Sequence, residues 1–268
     1  MNYSCGRGDE QVPSGVGSYQ GTSFAPMISV VTVVRNGEQQ LAQTIGSVTE
    51  QTYRNIEFIV IDGNSTDGTL AIIRAHEKWI TRWVSEPDGG IYDAMNKAVR
   101  MCSGAYLYFL NCGDRIATPE TVEQVVRAIE KESPDILCGH ILEMHTSGNI
   151  LSTFKTTSEY QLFLLTVCHQ AIFTARRVFD KVGGFDTSYR ICADRDWLLR
   201  ALKVHHFAMT YIDLPISIFD TSGVSSRQRR RLRLENLKIN YKYFKGSFYL
   251  FVIRQAGAKI GRLVACAR

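Results

Sequence analysis

The sequence has no long apolar run. No stretch reaches the roughly 18 apolar residues that a membrane-spanning helix requires, and no basic segment followed by an apolar one begins the chain to predict a secretory signal. The chain has 268 residues, of which 45% are apolar, so it can still bury the core of one large domain or two small ones. We therefore expect a cytoplasmic protein.

Paired cysteines are missing as well. The seven cysteines are an odd number and include no Cys-x-x-Cys pair, which argues against a disulfide framework and against a zinc site. Reduced cysteines in a cytosolic protein are the simplest interpretation.

Acidic residues are almost absent from the last part of the chain. Residues 227–268, here called the basic tail, hold 12 of the 31 Lys and Arg residues but only one of the 26 acids, so the remainder is slightly acidic. Its bases interleave with aromatic residues, a composition typical of helices that dock on anionic membrane surfaces. The alternative is a solvated helix that packs an aromatic face on the body. Because the body is not basic, we expect no nucleic-acid partner.

The apolar pattern divides the chain into regions. Residues 1–25 are rich in Gly, Ser and Gln without apolar periodicity, and we interpret them as a disordered leader. Residues 26–116 alternate buried-strand patterns, beginning with Ile28–Val34, with helical ones, which predicts right-handed βαβ units. Residues 117–226 instead predict a hairpin, short strands and helices in an α+β arrangement. Without a linker between the two halves, we predict one continuous α/β unit.

Some elements are predicted in more detail. The helix after Asp67 is expected to bury Ile73 and Trp79, with Asp67 as its N-cap. A hairpin is expected from a strand at 135–142 and a returning strand at 150–156. The last strand of the body is expected at 207–212.

Three acids follow successive predicted strands. Asp62 ends the second strand, Asp88 follows a short third strand and Asp114 follows the fourth. The carboxyl ends of parallel strands form one edge, where nucleotides bind in such sheets. An acid before Gly-Asn-Ser can also simply stabilise a turn, but three acids in succession favour a nucleotide site.

The fourth strand ends on Asn111-Cys112-Gly113-Asp114. Carboxylate and amide oxygens suit Mg²⁺ or Mn²⁺, which bind through one or two carboxylates together with substrate phosphates. Such an ion would neutralise the charge that builds on a departing diphosphate. An ordinary turn between strand and helix is the alternative.

Two further clusters are candidates for acid–base chemistry. Asp194 and Asp196 lie at the opening of a predicted helix, where an early acid can stabilise the helix dipole or act as a general base. Spacing alone does not decide between the two acids. Cys168 and His169 are adjacent on an extended segment, so their side chains point apart and cannot form a catalytic dyad. His169 is a candidate ligand contact or a buried, hydrogen-bonded histidine.

These motifs together resemble glycosyltransferase family 2. The resemblance covers roughly residues 26–226 and rests on Asp62-Gly-Asn-Ser-Thr-Asp-Gly-Thr69, Ser85-Glu-Pro-Asp-Gly-Gly-Ile-Tyr-Asp-Ala-Met-Asn96, Phe109-Leu-Asn-Cys-Gly-Asp114, Gly183-Gly-Phe-Asp186 and Ala193-Asp-Arg-Asp-Trp197. It implies a GT-A fold, in which a Rossmann-like, mostly parallel nucleotide-binding sheet merges with a smaller mixed region on the acceptor side. Residues 26–116 would be the donor half and residues 117–226 the acceptor half.

The resemblance also implies roles for individual residues. Asp194 matches the catalytic base of the family, with Asp196 as its helix neighbour, and Asp114, with Asn111, falls in the region that binds Mg²⁺ or Mn²⁺. The nucleotide-sugar would be bound by Val33, Asn36, Asp62, Asp88 and Asn96.

The sequence departs from the family pattern at two places. The usual Asp-x-Asp is replaced by Asn111-Cys112-Gly113 before Asp114, and the second acid after the Asp62 strand is replaced by Gly63. Both departures are similar to a branch that makes bacterial extracellular or cell-envelope polysaccharides.

The activity that the resemblance implies is inverting sugar transfer. The donor would be a nucleoside-diphosphate sugar, and the acceptor a glycan or a lipid-linked saccharide at the cytoplasmic face of the inner membrane, reached through the basic tail. Two alternatives remain: a catalytically degenerate, membrane-associated assembly subunit, and a sugar-phosphate nucleotidyltransferase. The latter would need a Gly-rich basic loop, which Arg35-Asn36-Gly37-Glu38 does not supply.

Overall fold

A computed structural model describes residues 25–145, 148–152, 168–220 and 228–245. The predicted leader up to residue 24, the end of the predicted returning strand and the basic tail beyond residue 245 lie outside the described residues.

The described elements alternate as the sequence pattern predicts. The strands are β1 (Ile28–Val34), β2 (Ile56–Asp62), β3 (Arg82–Ser85), β4 (Tyr106–Phe109), β5 (Arg115–Ile116), β6 (Ile136–His145), β7 (Gly148–Ser152), β8 (Ile172–Ala175) and β9 (Met209–Asp220). The helices are α1 (Leu41–Thr49), α2 (Thr69–Ala75), α3 (Ile91–Met101), α4 (Thr121–Glu132), α5 (Arg176–Val182), α6 (Ala193–Leu199) and α7 (Arg229–Tyr243). A π-helical turn, Arg200–Val204, continues α6.

All described strands join one sheet, in the order β3-β2-β1-β4-β8-β6-β9-β5. Strand β7 also pairs with β6 but is not part of this linear order. The first four are parallel to one another, because a helix connects each strand to the next. Every residue of β1 is buried, as expected for a strand covered on both faces. The carboxyl ends of these four strands therefore meet at one edge.

The second half of the sheet is mixed. Strand β8 is antiparallel to both β4 and β6, β7 forms the predicted hairpin with β6, and β9 runs parallel to β6 and antiparallel to β5. This region joins the parallel half through β4 and β8, so one hydrophobic core continues through both. The predicted merger of a parallel sheet with a mixed region is confirmed.

An aromatic cluster fills the space between the end of β4 and the helices of the second half. Phe179 stacks on Trp197 with ring centroids 4.3 Å apart, and Phe185 contacts both rings, Phe109 and Tyr92. Such contacts add about 0.5–1.5 kcal/mol per pair beyond the buried area. The cluster fixes α6 against α3 and β4.

Three details differ from the sequence predictions. Trp79 is 52% exposed, because α2 ends at Ala75 and a 3-10 turn carries the ring away from the core. Strand β9 extends to Asp220, beyond the predicted end at residue 212. A register irregularity in its pairing with β6 allows the pairing to continue past Pro215. Strand β5 has only two residues and gives no periodic pattern to detect.

The described part of the basic tail is a helix that packs on the body. In α7, Glu235 and Ile239 are buried against α6 and the segment before it, whereas Leu234 and Leu237 are exposed. None of the helices in the described ranges is long and apolar enough to span a membrane. The five cysteines in these ranges are free thiols, and burial raises the pKa of Cys138 to about 12.

Candidate active site

Asp62 lies at the predicted edge and is fully buried. Its Oδ2 accepts hydrogen bonds from the hydroxyl of Ser85, at 2.6 Å, and from the backbone N–H of Ser65, at 3.1 Å. The Ser65 hydroxyl contacts its other oxygen. The carboxylate thus joins the ends of β2 and β3 and shapes the turn after β2.

Asp88 is the more accessible acid at this edge. One carboxylate oxygen accepts the N–H of Gly90 at 2.9 Å, while the other lies against Gly63, where a Cβ atom would come within 2.3 Å of it. The Cβ of Arg35 flanks the same position. Gly63, at the position where the resemblance implies a second acid, therefore makes room for the Asp88 carboxylate beside the end of β2.

The turn after β1 is linked to the turn after β2. The N–H of Asn36, a residue with φ of 53°, donates to the Ser65 hydroxyl at 2.7 Å, and its side-chain oxygen accepts the N–H of Thr66 at 2.9 Å. Val33 is buried one residue before the end of β1. Asn36 is exposed at the edge, whereas Val33 contributes through the core beneath it.

Asn96 points toward the second half of the molecule. Its amide nitrogen donates to the carbonyl oxygen of Phe185 at 2.9 Å, and its amide oxygen accepts the N–H of Phe185 at 2.8 Å. Both ends of the side chain are thereby used by one backbone position. Asn96 thus ties α3 to the loop Gly183–Phe185.

Asp114 is buried behind the end of β4, with 4% of its surface exposed. Its two carboxylate oxygens accept the side-chain N–H of Gln170, at 2.8 Å, and the backbone N–H of Asp220, at 3.0 Å. Burial raises the pKa of Asp114 to about 6, although these hydrogen bonds oppose the shift. The carboxylate therefore joins the loop after β4 to the 3-10 turn His169–Ala171, which precedes β8, and to the end of β9.

A chain of hydrogen bonds connects the loop after β4 to the opening of α6. His169 Nδ1 lies 2.9 Å from Asp194 Oδ2, and His169 Nε2 lies 2.8 Å from the amide nitrogen of Asn111. Because an ionised carboxylate only accepts, Nδ1 donates to Asp194, and Nε2 of the neutral ring accepts from Asn111. His169 is thus a hydrogen-bonded bridge between two of the predicted site residues.

The other oxygen of Asp194 is held as well. Asp194 Oδ1 accepts the N–H of Arg195 at 2.8 Å and lies 3.1 Å from the hydroxyl of Tyr92, which also contacts the carbonyl oxygen of Ile191. The pKa of buried Tyr92 is well above its usual value, because burial and the neighbouring Asp194 disfavour the phenolate. With 13% of its side chain exposed, Asp194 is oriented but still reachable.

Asp196 points to the other side of α6. It is fully buried, and its carboxylate contacts Lys242 at 2.8 Å, Tyr243 at 2.9 Å and Arg200 at 3.1 Å. Residues two positions apart on a helix lie on nearly opposite faces, so one acid of the pair faces His169 and the other faces α7.

The described residues offer few ligands for a divalent ion. The described ranges contain no group of three or more His, Cys, Asp or Glu side chains that could hold a metal. The buried Oδ1 of Asn111, however, has no hydrogen-bond partner among these residues. This one unpaired oxygen, in the loop that also carries Asp114, fits an ion that takes its remaining ligands from phosphates and water.

Sequence reasoning missed several residues of this region. Tyr92 and Gln170 orient Asp194 and Asp114, and the Arg190 guanidinium donates to the carbonyl oxygen of Gly89 in the loop after Asp88. Tyr92 stands 102 positions before Asp194, so no local spacing could reveal the pair. A cleft of about 490 Å³ between α1 and β5 is lined by none of the predicted site residues.

Known structures define the class of this fold. The chain superimposes on Staphylococcus aureus TarS, residues 1–349 in complex with UDP-GlcNAc, with a TM-score of 0.66 and 17% identity over 81% of this chain and 67% of that chain. The mannosyltransferase PcManGT from Pyrobaculum calidifontis, in complex with GDP-Man and Mn²⁺, matches with a TM-score of 0.65 and 15% identity over 83% and 65% of the two chains. The fold is that of the GT-A glycosyltransferases.

Sequence comparison gives the family. The model of glycosyl transferase family 2 matches residues 29–181. An uncharacterized glycosyltransferase of Mycobacterium tuberculosis is 34% identical over 85% of this chain and 94% of its own length, and a PGL/p-HBAD biosynthesis glycosyltransferase of Mycobacterium bovis is 30% identical over 74% and 78%. The chain belongs to glycosyltransferase family 2, and it is an enzyme of the glycosyltransferase class, as the resemblance implied.

Proposed function

We propose that the chain is an inverting enzyme that moves a sugar from a nucleoside-diphosphate sugar to a hydroxyl group of a glycan or a lipid-linked saccharide. The observation that carries the proposal is the environment of Asp194. Its carboxylate is held by His169 and Tyr92 and remains partly exposed, whereas Asp196 is fully buried and bound to α7. Of the two acids on α6, Asp194 is therefore the candidate base.

In this proposal Asp194 takes the proton of the acceptor hydroxyl. The oxygen then attacks the anomeric carbon from the face opposite the nucleoside diphosphate, so the configuration inverts. Each carboxylate oxygen has two lone pairs, and Oδ2 keeps one for the proton while His169 Nδ1–H occupies the other. A base of this kind contributes about 10²–10⁴-fold to the rate.

The edge formed by β1, β2 and β3 is assigned to the nucleotide. Asp88 and the exposed Asn36 would contact the ribose or base, while Val33 and Asp62 support them from below. Asn96 would act by holding the loop at Phe185 rather than by touching the donor. Nucleotide-sugars in the related folds of TarS and PcManGT support this class of donor.

A divalent ion, Mg²⁺ or Mn²⁺, would neutralise the charge of the departing diphosphate. Asn111 through its available Oδ1 and Asp114 are the residues that would hold it, and the Mn²⁺ in the PcManGT complex supports its use. The basic tail would bring the enzyme to an anionic membrane surface at the cytoplasmic face, where a lipid-linked acceptor is available.

The test is the release of nucleoside diphosphate from a panel of UDP-, GDP- and dTDP-sugars with Mg²⁺ or Mn²⁺. Asp194→Asn should lower turnover at least about 100-fold while UDP or GDP affinity changes less than twofold. Asp180→Asn, the same change at an exposed acid on α5, is the matched control. Equal turnover of Asp194→Asn and this control would refute the assignment.

One alternative is tested by the same panel. A degenerate assembly subunit would bind a nucleotide-sugar without metal-dependent release of nucleoside diphosphate from any member of the panel, in the wild type and in Asp194→Asn alike.

A further inference from the structure

The inner face of α7 carries the only acid of the basic tail. The carboxylate of Glu235 is buried and accepts three backbone N–H groups, from Arg190 at 3.0 Å, Ile191 at 2.9 Å and Cys192 at 3.0 Å. Burial of a carboxylate is costly unless hydrogen bonds replace those it made to water. Here the N–H groups of three consecutive residues supply them. Glu235 therefore fixes the path of residues 190–192.

That segment leads directly to the candidate base. Asp194 follows Cys192 by two residues, and the carbonyl oxygen of Ile191 accepts a hydrogen bond from the Tyr92 hydroxyl, which lies 3.1 Å from Asp194 Oδ1. The Arg190 side chain reaches the carbonyl oxygen of Gly89. The backbone held by Glu235 thus contacts the surroundings of the base on one side and the loop after Asp88 on the other.

Residues on the far side of the base are also tied to α7. The Arg195 guanidinium donates to the side-chain oxygens of Asn236, at 2.8 Å, and Asn240, at 2.7 Å. Asp196 contacts Lys242, as described above. Asp194 therefore stands between two segments that one helix holds in place.

We propose that Glu235 is a positioning residue for the base: through the N–H groups of residues 190–192 it sets the place of Asp194 and Tyr92. This inference rests on the proposed function for its catalytic consequence, but the restraint on the backbone can be measured without any substrate. Misplacement of a reacting group by about 1 Å can cost roughly 100-fold in rate, so loss of Glu235 should lower kcat more than it changes KM for the donor.

The experiment compares Glu235→Ala and Glu235→Gln with Lys238→Ala, a control at an exposed position of the same helix. Amide hydrogen exchange of peptides that span residues 187–197 is measured first. We expect exchange at residues 190–192 to become at least about tenfold faster in Glu235→Ala, to be partly restored in Glu235→Gln, whose carbonyl oxygen still accepts, and to stay unchanged in Lys238→Ala.

Turnover is then measured with the nucleotide-sugar that the wild type consumes fastest among UDP-GlcNAc, UDP-glucose and GDP-mannose. Glu235→Ala should lose roughly 100-fold in kcat, with the donor KM and the Kd for UDP or GDP within about twofold of the wild type. Glu235→Gln should recover part of kcat.

Two results would overturn the inference. One is unchanged exchange at residues 190–192 in Glu235→Ala, and the other is a kcat equal to that of Lys238→Ala in an active enzyme. If the wild type consumes no donor, the proposed function fails, and the exchange measurement still decides whether Glu235 restrains this segment.

Discussion

At the scale of single residues, Gly63 connects a departure from the family pattern to the geometry of the proposed nucleotide edge. The acid expected at this position is missing, and the space of its side chain is taken by the carboxylate of Asp88. The carboxylate next to Gly63 therefore belongs to Asp88, in the loop after β3, and not to a residue at the end of β2.

Gly63→Ala should displace Asp88 and weaken nucleotide binding. The new Cβ would come within 2.3 Å of an Asp88 carboxylate oxygen, which is the mobile end of a side chain, so the fold itself should survive. Loss of one charged hydrogen bond would weaken the affinity for UDP or GDP by roughly tenfold to 100-fold. Calorimetric titration measures this, with Gly46→Ala as the control because its Cβ meets nothing closer than 4.0 Å. Equal affinity in the two variants would contradict the role given to Asp88.

Glu57 illustrates an acid that serves stability at the opposite end of β2. It is buried and accepts hydrogen bonds from the Ser29 hydroxyl at 2.6 Å and from the N–H and hydroxyl of Ser103 at 2.8 and 2.7 Å. Burial raises its pKa, but the hydrogen bonds from Ser103 and Ser29 outweigh this, and the pKa of Glu57 is lowered. The ionised form therefore stabilises the folded state.

Glu57→Gln should lower the free energy of unfolding by about 2 kcal/mol at pH 7, because the amide lacks the charge that strengthens these hydrogen bonds and its nitrogen cannot accept one. Since the folded pKa lies below the unfolded one, the stabilisation is present above about pH 4.5 and is lost as the pH falls through the folded pKa. Urea unfolding of the wild type and Glu57→Gln is measured from about pH 3 to about pH 7. The difference in their free energies of unfolding should become smaller as the pH falls. A difference independent of pH would show that the charge of Glu57 is not what matters.

At the scale of elements, α7 has two faces with different consequences. The inner face holds the segment before Asp194, while the outer face presents Arg229, Arg230, Arg233, Leu234 and Leu237 to solvent. Deletion of the whole basic tail would remove both faces together. Substitutions confined to the outer face separate membrane docking from the position of the base.

The variant Arg229→Ser/Arg230→Ser/Arg233→Ser should bind anionic vesicles more weakly. Each base near an anionic surface contributes about 1 kcal/mol, so the loss of three lowers partitioning by about 100-fold. Co-sedimentation with vesicles that contain phosphatidylglycerol measures it, and pure phosphatidylcholine vesicles give the background.

The control removes three exposed bases elsewhere, as Arg74→Ser/Arg127→Ser/Lys131→Ser, and so changes the net charge equally. If both triple variants lose the same binding, net charge alone explains it and α7 has no special place at the membrane.

Elements with strong local patterns were predictable, and those set by distant partners were not. The apolar runs of β1 and β2 gave their bounds correctly, because strands buried on both faces need apolar residues throughout. The two residues of β5 pair only with the far end of β9, and that end of β9 pairs also with β6. Because these partners are distant in the chain, neither segment shows a sequence pattern of its own.

The same distinction applies to the site. The acids at the strand ends stand out in the sequence, because parallel strands bring their carboxyl ends to one edge. The hydrogen bonds that orient Asp194 come from Tyr92 and His169, which lie 102 and 25 residues away from it along the chain. Only the packing of α3, α6 and α7 shows that Asp194 faces His169 and Tyr92, whereas Asp196 faces α7.

At the scale of the whole molecule, the scarcity of available carboxylates predicts that metal and nucleotide bind together. Each oxygen of Asp114 already accepts one hydrogen bond within the protein, so the Oδ1 of Asn111 is the one unpaired oxygen that the described residues add to it. We expect Mn²⁺ alone to leave the melting temperature nearly unchanged and to add stability only when UDP or GDP is present. A nucleotide–metal pair at 100 times its Kd would add about 2.7 kcal/mol.

Thermal-shift measurements check this expectation, and Asn111→Ala should remove the additional effect of Mn²⁺ while the effect of the nucleotide alone persists. A large stabilisation by Mn²⁺ without nucleotide would instead reveal a metal site made by the protein alone.

The order of strands in the sheet has a consequence for the chain as it leaves the ribosome. β1 to β4 can pair with one another once residue 109 has emerged, but β5 finds its neighbour only when residues 217 and 218 of β9 arrive, about 100 residues later. Glu235 comes later still. During synthesis, the edge assigned to the activated sugar can therefore form well before the base is fastened, so a partly made chain could hold a donor without being able to transfer it.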